Sequence, residues 1–281
     1  MVDPVSTRPS GRLIVLGARG LVGSALAGAA AASGMEVIAV HRGMTVEDVL
    51  REEDVVANCA LEPAYRTGPY DPAIDLERRS AKVARERGAR VLMLSTRKVY
   101  RSDAQWGARE DDLLQLEGVG YGPNKAKTEA WIREALGDRA LVVRLSNVFG
   151  FEYAVGEGGR PSFFGQMLFR LRHEGEIVFD MSPETRRDFI PVEDVARALV
   201  GAVASGAGGV FNLGSGSAIA CGDIAQAVIS GYGQGRLRSV DDVRDEFFLD
   251  SSKWSSTFGC AANAASSLDV AEGFGRRLRY A

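Results

Sequence analysis

The sequence predicts an α/β fold built on a doubly wound parallel sheet. Short apolar runs rich in branched residues alternate with helical patterns between Arg12 and Leu145, and this alternation favours parallel strands joined by right-handed crossovers. The first apolar run leads into a glycine-rich turn and an alanine-rich helix. Beyond Gly150 the alternation fades. We therefore predict a sheet domain of residues 11–150, with residues 187–213 returning to the sheet, and a smaller lobe of residues 151–186 and 214–281.

Composition narrows the possible partners. The chain has 281 residues, enough for one large domain or two intimate ones, and its net charge of -3 gives no basic excess. Nucleic acid and anionic membranes are therefore not expected as partners. The first ten residues contain two prolines and no apolar core, so no secretory signal is expected. Three widely spaced cysteines and only two histidines favour a cytoplasmic protein with reduced thiols and no metal site.

The elements follow from local patterns. Five sheet strands are predicted before Gly150, namely Arg12–Gly17, Met35–Val40, Asp54–Cys59, Arg90–Ser95 and Leu141–Leu145. The helices between them include a very short one at residues 46–52 and a polar one at residues 75–86. Residues 101–119 are polar and aperiodic and are predicted to be a loop. Later we predict strands at 176–179 and 210–213, and helices at 163–171, 191–202, 222–229 and 268–278, the last with Ser267 as its N-cap.

The turn after the first strand has the spacing GxxGxxG, formed by Gly17, Gly20 and Gly23. A glycine turn between a strand and a helix is typical of Rossmann-type dinucleotide sites, because the backbone can approach a pyrophosphate at the helix N-terminus. The alternative is that the glycines serve only a tight turn and its packing. We assign to the cofactor site Gly17, Arg19, Gly20, Leu21, Val22 and Gly23, together with Cys59 and Ala60 after the third strand.

The end of the second strand bears on the choice of dinucleotide. An NAD site usually carries Asp or Glu there, bonded to the ribose 2′-hydroxyl, whereas this chain has His41 and Arg42. A guanidinium binds a 2′-phosphate in a forked geometry, and each charge pair gives about 4 kcal/mol of gross attraction near a surface. The residues therefore favour NADP, with NAD possible; the alternative is a solvated loop arginine.

Tyr121 and Lys125 stand four residues apart at the start of a helical pattern that continues through Ile132 and Leu136. This spacing places both side chains on one helix face. A phenol normally titrates near ~10, and a nearby ammonium favours the phenolate. Tyr121 is therefore a candidate acid or base, although any helix can hold such a pair. Thr96 lies just past the carboxyl end of the fourth strand, where open α/β sheets place ligand groups.

These motifs, taken together, resemble the extended short-chain dehydrogenase/reductase family in its nucleotide-sugar epimerase, dehydratase and reductase branch. The matching segments follow the family's order from Gly17 to about Lys253. They are VLGARGLVG, LSTRKVY, YGPNK, RLSNVFG, RRDFIPVEDVARAL, FNLGSG and LDSSKW. Several ordered motifs are far more specific than any one of them.

The resemblance implies roles for five residues. Tyr121 would bond the substrate oxygen and exchange its proton, Lys125 would hold the nicotinamide ribose, and Thr96 would give a second hydrogen bond to that oxygen. Asn147 and Arg187 would bind the diphosphate of the nucleotide sugar. The smaller lobe is expected to bind the substrate. Without the resemblance, Thr96 could be a strand-end residue, Asn147 a turn residue and Arg187 an ion-pair partner of Asp188 or Glu184.

The family branch leaves several reactions open. Its 4,6-dehydratases follow the Thr with Asp-Glu, and this chain has Arg97 and Lys98 instead, so that dehydration is not expected. The leading hypothesis is an NADPH-dependent reductase of a keto group, at C4, on a nucleotide-linked deoxysugar. The alternatives are a nucleotide-sugar epimerase that recycles NAD(P) and a catalytically silent dinucleotide sensor. The resemblance also implies a homodimer.

Overall fold

A computed structural model describes residues 11–152 and 162–281. The described chain divides into two compact units. The first contains the residues up to Arg101, then Leu113–Arg144 and Ala196–Phe211; the second contains Ser102–Asp112, Leu145–Val195 and Asn212–Ala281. Residues 102–112, expected in the sheet domain, thus fall in the second unit.

The regular elements follow the predicted alternation. The strands are β1 Leu13–Leu16, β2 Val37–Val40, β3 Val55–Asn58, β4 Arg90–Thr96, β5 Trp106–Ala108, β6 Ala140–Leu145, β7 Asn147–Phe149, β8 Glu176–Phe179, β9 Arg186–Arg187, β10 Phe189–Pro191, β11 Gly209–Leu213, β12 Ile219–Ala220, β13 Arg236–Ser239 and β14 Phe248–Leu249. The helices are α1 Leu21–Ala32, α2 Val46–Val49, α3 Pro63–Thr67, α4 Leu76–Arg87, α5 Tyr121–Leu136, α6 Phe163–Glu174, α7 Val192–Ala204, α8 Cys221–Tyr232, α9 Ser252–Phe258 and α10 Ala264–Leu278. Short 3-10 turns occupy Arg97–Val99, Ser102–Ala104 and Gly137–Arg139.

A six-stranded parallel sheet has the order β11-β6-β4-β3-β1-β2, which confirms the predicted α/β class. Strand β1 pairs with β2 on one side and β3 on the other, in register Leu13 to Val37 and Leu13 to Val55. The strand order therefore reverses beside β1, and such a switch point is where open α/β sheets bind ligands, outside the carboxyl ends of the strands.

Helix α2 is a single turn, and a capping box between Thr45 and Asp48 caps its N-terminus. A short connection of residues 50–54 leads from this turn to β3, and among the described residues the sheet order ends at β2. Strand β2 is therefore an edge strand. His41 and Arg42, which follow it, are both exposed.

Each unit has its own apolar core. In the first, side chains of β1, β3, β4 and β6 pack with those of α4 and α5, among them Ile14, Val56, Met93, Val142 and Ile132. All six residues of β6 are buried, as expected for a strand covered on both faces. In the second, α6, α8 and α10 pack around an aromatic group that includes Phe149, Phe164, Phe189 and Phe274.

Two local predictions were wrong. Helix α10 begins at Ala264, and its N-cap is Asn263, whose Oδ1 accepts from the Ser266 backbone N–H at 3.0 Å. Ser267 is instead buried and donates to the Phe189 carbonyl at 2.9 Å. Several cap-type residues stand close together here, and tertiary burial decides which of them caps. The predicted loop 101–119 also contains a 3-10 turn and strand β5, which pairs with β14.

Candidate active site

Helix α5 begins at Tyr121, as predicted, after Gly120 with a φ of 100°. Tyr121 is half-buried, and the Arg66 guanidinium lies 5.8 Å from the centre of its ring. Lys125, one turn later, is buried. The start of α5 thus carries a partly accessible phenol one turn before an ammonium that is 6% exposed.

Lys125 is held by two groups from other elements. Its Nζ donates to the Leu94 carbonyl of β4 at 2.8 Å and forms an ion pair with Glu77 in the first turn of α4. The Lys125 and Glu77 side chains are 6% and 3% exposed. The ammonium therefore stands against the carboxyl end of a sheet strand and contacts a buried carboxylate.

Burial and charge act in opposite directions on this pair. Burial lowers the pKa of Lys125, but the nearby Glu77 and Tyr121 raise it, and the net change is upward. For Glu77, burial raises the pKa to about 7, against the lowering effect of Lys125. Burial thus favours the neutral form of each group, and the attraction between them favours the charged forms.

Thr96 is the last residue of β4, two positions after Leu94. Its side chain is half-buried, and its Oγ1 accepts from the Lys98 backbone N–H at 3.3 Å, which caps the 3-10 turn Arg97–Val99. A hydroxyl that accepts one hydrogen bond can still donate its own proton. Lys125, through its bond to Leu94, and Thr96 therefore both lie at the carboxyl end of β4.

A buried polar network fixes the first turns of α4 and α5. Asp75 caps α4 by accepting from the Glu77 and Arg78 backbone N–H groups, both at 3.1 Å. Its other carboxylate oxygen accepts from the Thr128 hydroxyl in α5, which also lies 2.7 Å from the Tyr65 hydroxyl. One carboxylate therefore links the cap of α4 to the helix that carries Tyr121.

Neighbouring backbone segments lie so close to the glycine turn that there is no room for side chains at Gly17 and Gly23. Gly17 has a φ of 72°, and a Cβ there would lie 2.7 Å from the carbonyl carbon of Cys59 and from the backbone nitrogen of Ala60. A Cβ at Gly23 would lie 2.9 Å from the Gly17 carbonyl carbon. Any other residue would force apart β1, the end of β3 and the first turn of α1.

The N-terminus of α1 is free of side-chain caps. Gly20 is its N-cap, and its first turn contains no acidic residue. By contrast, Asp75 caps α4 and Ser162 caps α6. Unbonded N–H groups and the positive dipole end fit a pyrophosphate, so the residues present here suit a dinucleotide.

Cys59 lies against the glycine turn, and its thiol is affected by the charge of Lys125. Burial is the main cause that raises the pKa of the Cys59 thiol to about 12, and the Glu77 charge raises it further while the Lys125 charge lowers it. Cys59 directly follows the carboxyl end of β3, and Lys125 is bonded to Leu94 near the carboxyl end of the neighbouring strand β4. Gly17, Cys59 and Lys125 consequently lie at the same edge of the first unit's sheet.

Arg19, His41 and Arg42 are exposed. The ring Nδ1 of His41 lies 3.1 Å from the Arg42 carbonyl. The position after β2 thus carries an accessible cation where NAD sites usually carry a carboxylate, and the assignment of NADP stays a prediction.

The predicted diphosphate residues belong to the second unit. Arg187 in β9 donates to the Asp245 carbonyl at 2.9 Å and to its carboxylate at 3.2 Å. Its guanidinium also lies 5.7 Å from the centre of the Phe163 ring. Asn147 begins β7 and is half-buried. Within the described chain, the carboxylate that Arg187 pairs with is therefore neither of the two suggested by sequence, Asp188 and Glu184.

Asp188 has a separate structural role. It is fully buried, and its carboxylate accepts from the Ser215 backbone N–H at 2.8 Å and from the Ser215 hydroxyl at 2.7 Å. Its carbonyl accepts from the Ser146 hydroxyl at 2.7 Å. Asp188 thus joins three segments of the second unit.

Sequence reasoning did not identify Glu77 or Thr128 as part of this site. Glu77 lies 48 positions from Lys125, and Thr128 lies 53 positions from Asp75. An acidic residue in the first turn of a helix normally suggests only interaction with the helix dipole. No local signal distinguishes Glu77 from the other carboxylates of the chain.

The sequence profile of the NAD dependent epimerase/dehydratase family matches residues 13–214. The chain belongs to this family. It is accordingly an NAD(P)-dependent enzyme of the oxidoreductase or epimerase type.

Solved structures share the fold over nearly the whole chain. MoeE5, solved with UDP-glucose and NAD, has a TM-score of 0.72 and 21% identity, over 95% of this chain and 99% of MoeE5. UDP-N-acetylglucosamine 4-epimerase from Bacillus cereus has a TM-score of 0.77 and 16% identity, over 96% and 100%. TunA, an NAD dependent NDP-hexosamine 5,6-dehydratase, has a TM-score of 0.69 and 19% identity, over 95% and 98%. None of the helices that the structure describes is both long and apolar enough to span a bilayer.

Proposed function

We propose that this chain is an NADPH-dependent reductase of a keto group, at C4, on a nucleotide-linked deoxysugar. The observation that carries the proposal is the position of Tyr121, Lys125 and Thr96 around one strand end of the first unit. Lys125 contacts that strand through Leu94, two residues before Thr96. A phenol, an ammonium and a hydroxyl so placed match the needs of a carbonyl oxygen that gains negative charge during reduction.

Residues of the first unit would hold the dinucleotide. The uncapped N-terminus of α1 and the turn from Gly17 to Gly23 suit the pyrophosphate, and Cys59 and Ala60 lie against that turn. When bound, the reduced cofactor supplies the hydride. The exposed Arg42 is proposed to bind a 2′-phosphate, which favours NADP over NAD.

The three reactive side chains have distinct roles in this proposal. Tyr121 donates its proton to the substrate oxygen as the carbonyl is reduced. Lys125, held charged, favours the phenolate that remains and holds the nicotinamide ribose. Thr96 donates a hydrogen bond that keeps the oxygen in place.

In the second unit, Asn147 and Arg187 are proposed to bind the diphosphate. Arg187 is positioned by Asp245 and Phe163, and would exchange the half-exposed Asp245 carboxylate for phosphate oxygens. Binding energy from this remote part of the substrate would orient the sugar for reaction. Asp245 and Phe163, which position Arg187, lie in the smaller lobe, residues 151–186 and 214–281, and this lobe is proposed to bind the substrate.

A second candidate is a nucleotide-sugar epimerase. It is supported by the similarity to UDP-N-acetylglucosamine 4-epimerase and by the NAD found with MoeE5. An epimerase would use the same Tyr121, Lys125 and Thr96 but would return the hydride to the same substrate. It would purify with tightly held NAD and consume no NADPH.

The test is a panel of 4-keto nucleotide sugars assayed with NADPH and with NADH, following the absorbance of the reduced nicotinamide. The reductase proposal expects oxidation of NADPH with at least one sugar, loss of turnover in Tyr121→Phe with dinucleotide binding retained, and full activity in the control Tyr280→Phe, whose ring is 89% exposed. Silence of the whole panel with both cofactors would overturn it. Turnover that survives in Tyr121→Phe would remove Tyr121 from the mechanism.

The homodimer and the cytoplasmic location stay predictions. Light scattering on the purified chain would report a mass of twice 30.1 kDa if the dimer forms. A mass of one chain across the working concentration range would contradict it.

A further inference from the structure

We propose that Glu77 is a positioning residue that keeps Lys125 charged and holds it against the carboxyl end of β4. This inference deepens the proposed function, because Lys125 is the cation assigned to stabilise the Tyr121 phenolate. Glu77 itself would touch neither substrate nor cofactor and would act only through Lys125.

The geometry favours a role for the charge of Glu77. Its side chain is 3% exposed, and one carboxylate oxygen pairs with Lys125. The other oxygen, Oε1, is buried without a hydrogen-bond partner among the described residues. A buried carboxylate is costly unless a cation compensates it, and a buried ammonium has the same need for an opposite charge. Loss of the Glu77 charge would therefore leave the Lys125 ammonium without its compensating partner.

Few other groups near Lys125 could stabilise its charged form. The remaining titratable groups around the pair are Asp75 at the cap of α4, Tyr121 on α5, Cys59 after β3 and Tyr65 on α3. Asp75 is already engaged by two backbone N–H groups and by Thr128. The two tyrosines and the cysteine are ordinarily neutral near pH 7, and Tyr121 raises the pKa of Lys125 less than Glu77 does. Glu77 is therefore the one carboxylate among the described residues that contacts Lys125 directly.

Burial alone would drive Lys125 toward its neutral amine, which could not stabilise a phenolate. Fully buried lysines lose several pH units from their ordinary pKa, and an opposite charge nearby reverses the effect. The Leu94 carbonyl also accepts from Lys125, but a carbonyl bonds a neutral amine as well as an ammonium. Among the groups that favour the ammonium over the amine, Glu77 has the largest effect.

The test measures the titration of Lys125 in the full-length chain and requires neither substrate nor cofactor. The chain has five lysines, at Lys82, Lys98, Lys125, Lys127 and Lys253. Labelling the lysine ε-carbons with ¹³C gives a spectrum simple enough to follow with pH, and the signal lost in Lys125→Arg assigns Lys125. Its midpoint is then compared between the wild-type chain and Glu77→Gln, which keeps the size and the accepting oxygen but removes the charge.

In the wild-type chain the midpoint of Lys125 is expected above the ordinary value of ~10.4. In Glu77→Gln it should fall by ~1–3 pH units, the typical effect of one adjacent opposite charge. Glu77→Asp keeps the charge one methylene further away and should give a smaller fall, which supplies a readout if Glu77→Gln does not fold. A merely structural Glu77 would leave the midpoint unchanged in both variants, and that result would overturn the proposal.

The matched control is Asp54→Asn. Asp54 is also a buried carboxylate, paired with Arg12 at 2.7 Å, but it precedes β3 and so lies at the opposite ends of the strands. Its loss should leave the Lys125 midpoint unchanged. An equal fall in this control would mean that general loosening moves the titration, which also overturns the proposal. Because no turnover is measured, failure of the proposed reductase activity would not affect the result.

Discussion

The close approach at Gly23 supplies the most direct test of the glycine turn. In Gly23→Ala the new methyl carbon would stand 2.9 Å from the Gly17 carbonyl carbon and 3.1 Å from the Ala18 Cα. Ordinary carbon contacts lie near 3.5–4.0 Å, so α1 must move by about 1 Å from the turn. Such overpacking costs about 1–3 kcal/mol, less up to ~1 kcal/mol gained from better helix propensity.

Gly28→Ala is the matched control within the same helix. Gly28 is exposed, and a Cβ there would meet nothing within 4 Å. This variant should gain up to ~1 kcal/mol in the free energy of unfolding. Denaturant titrations of the two variants should therefore differ by ~1–3 kcal/mol, with Gly28→Ala the more stable.

The same pair of variants tests cofactor binding. A shift of about 1 Å in α1 misaligns several N–H groups proposed to bind the pyrophosphate, so Gly23→Ala should bind NADPH at least ~10-fold more weakly, or ~1.4 kcal/mol. Gly28→Ala should bind like the wild-type chain, as measured by fluorescence of the reduced nicotinamide. If Gly23→Ala matched Gly28→Ala in both stability and affinity, the assignment of the turn would be refuted.

Three further predictions concern other parts of the first unit and the exposed thiol. Arg144→Met leaves the buried Glu129 without its main cation and should cost about 3–5 kcal/mol in denaturant titrations; an unchanged midpoint would contradict this. Alkylation near pH 7 followed by peptide mass spectrometry should label the exposed Cys260 and spare Cys59, because burial raises the pKa of Cys59 to about 12 and leaves almost no thiolate. Arg42→Ala should weaken NADPH binding by ~10-fold or more while changing NADH binding little; equal losses would remove Arg42 from cofactor selection.

Local patterns predicted the inner sheet strands, such as β1, β4 and β6, because these strands are largely buried and so form continuous apolar runs. The Tyr121–Lys125 pair was also predictable, since both residues belong to one helical turn. The order of the strands was not predictable. In the sequence, the single-turn helix α2 looks only like a short linker, and nothing in it indicates that β2 becomes an edge strand.

Long-range partners escaped prediction for the same reason. Arg187 pairs with Asp245, 58 positions away, and not with its sequence neighbours Asp188 and Glu184. The partner of Lys125 is likewise brought in by folding of the whole first unit. Such pairs depend on which helix ends meet at one strand end, and amphipathic periodicity carries no information about that.

The double duty of Asp75 has a practical consequence for altering this enzyme. The Asp75 carboxylate caps the N-terminus of α4 and also accepts a hydrogen bond from Thr128 in α5, the helix that carries Tyr121. A substitution of Asp75 made to change the stability of α4 would therefore also move the Tyr121 hydroxyl. Attempts to raise heat tolerance at this corner should therefore alter turnover in parallel, whereas the capped start of α10, in the other unit, offers a place to add stability independently.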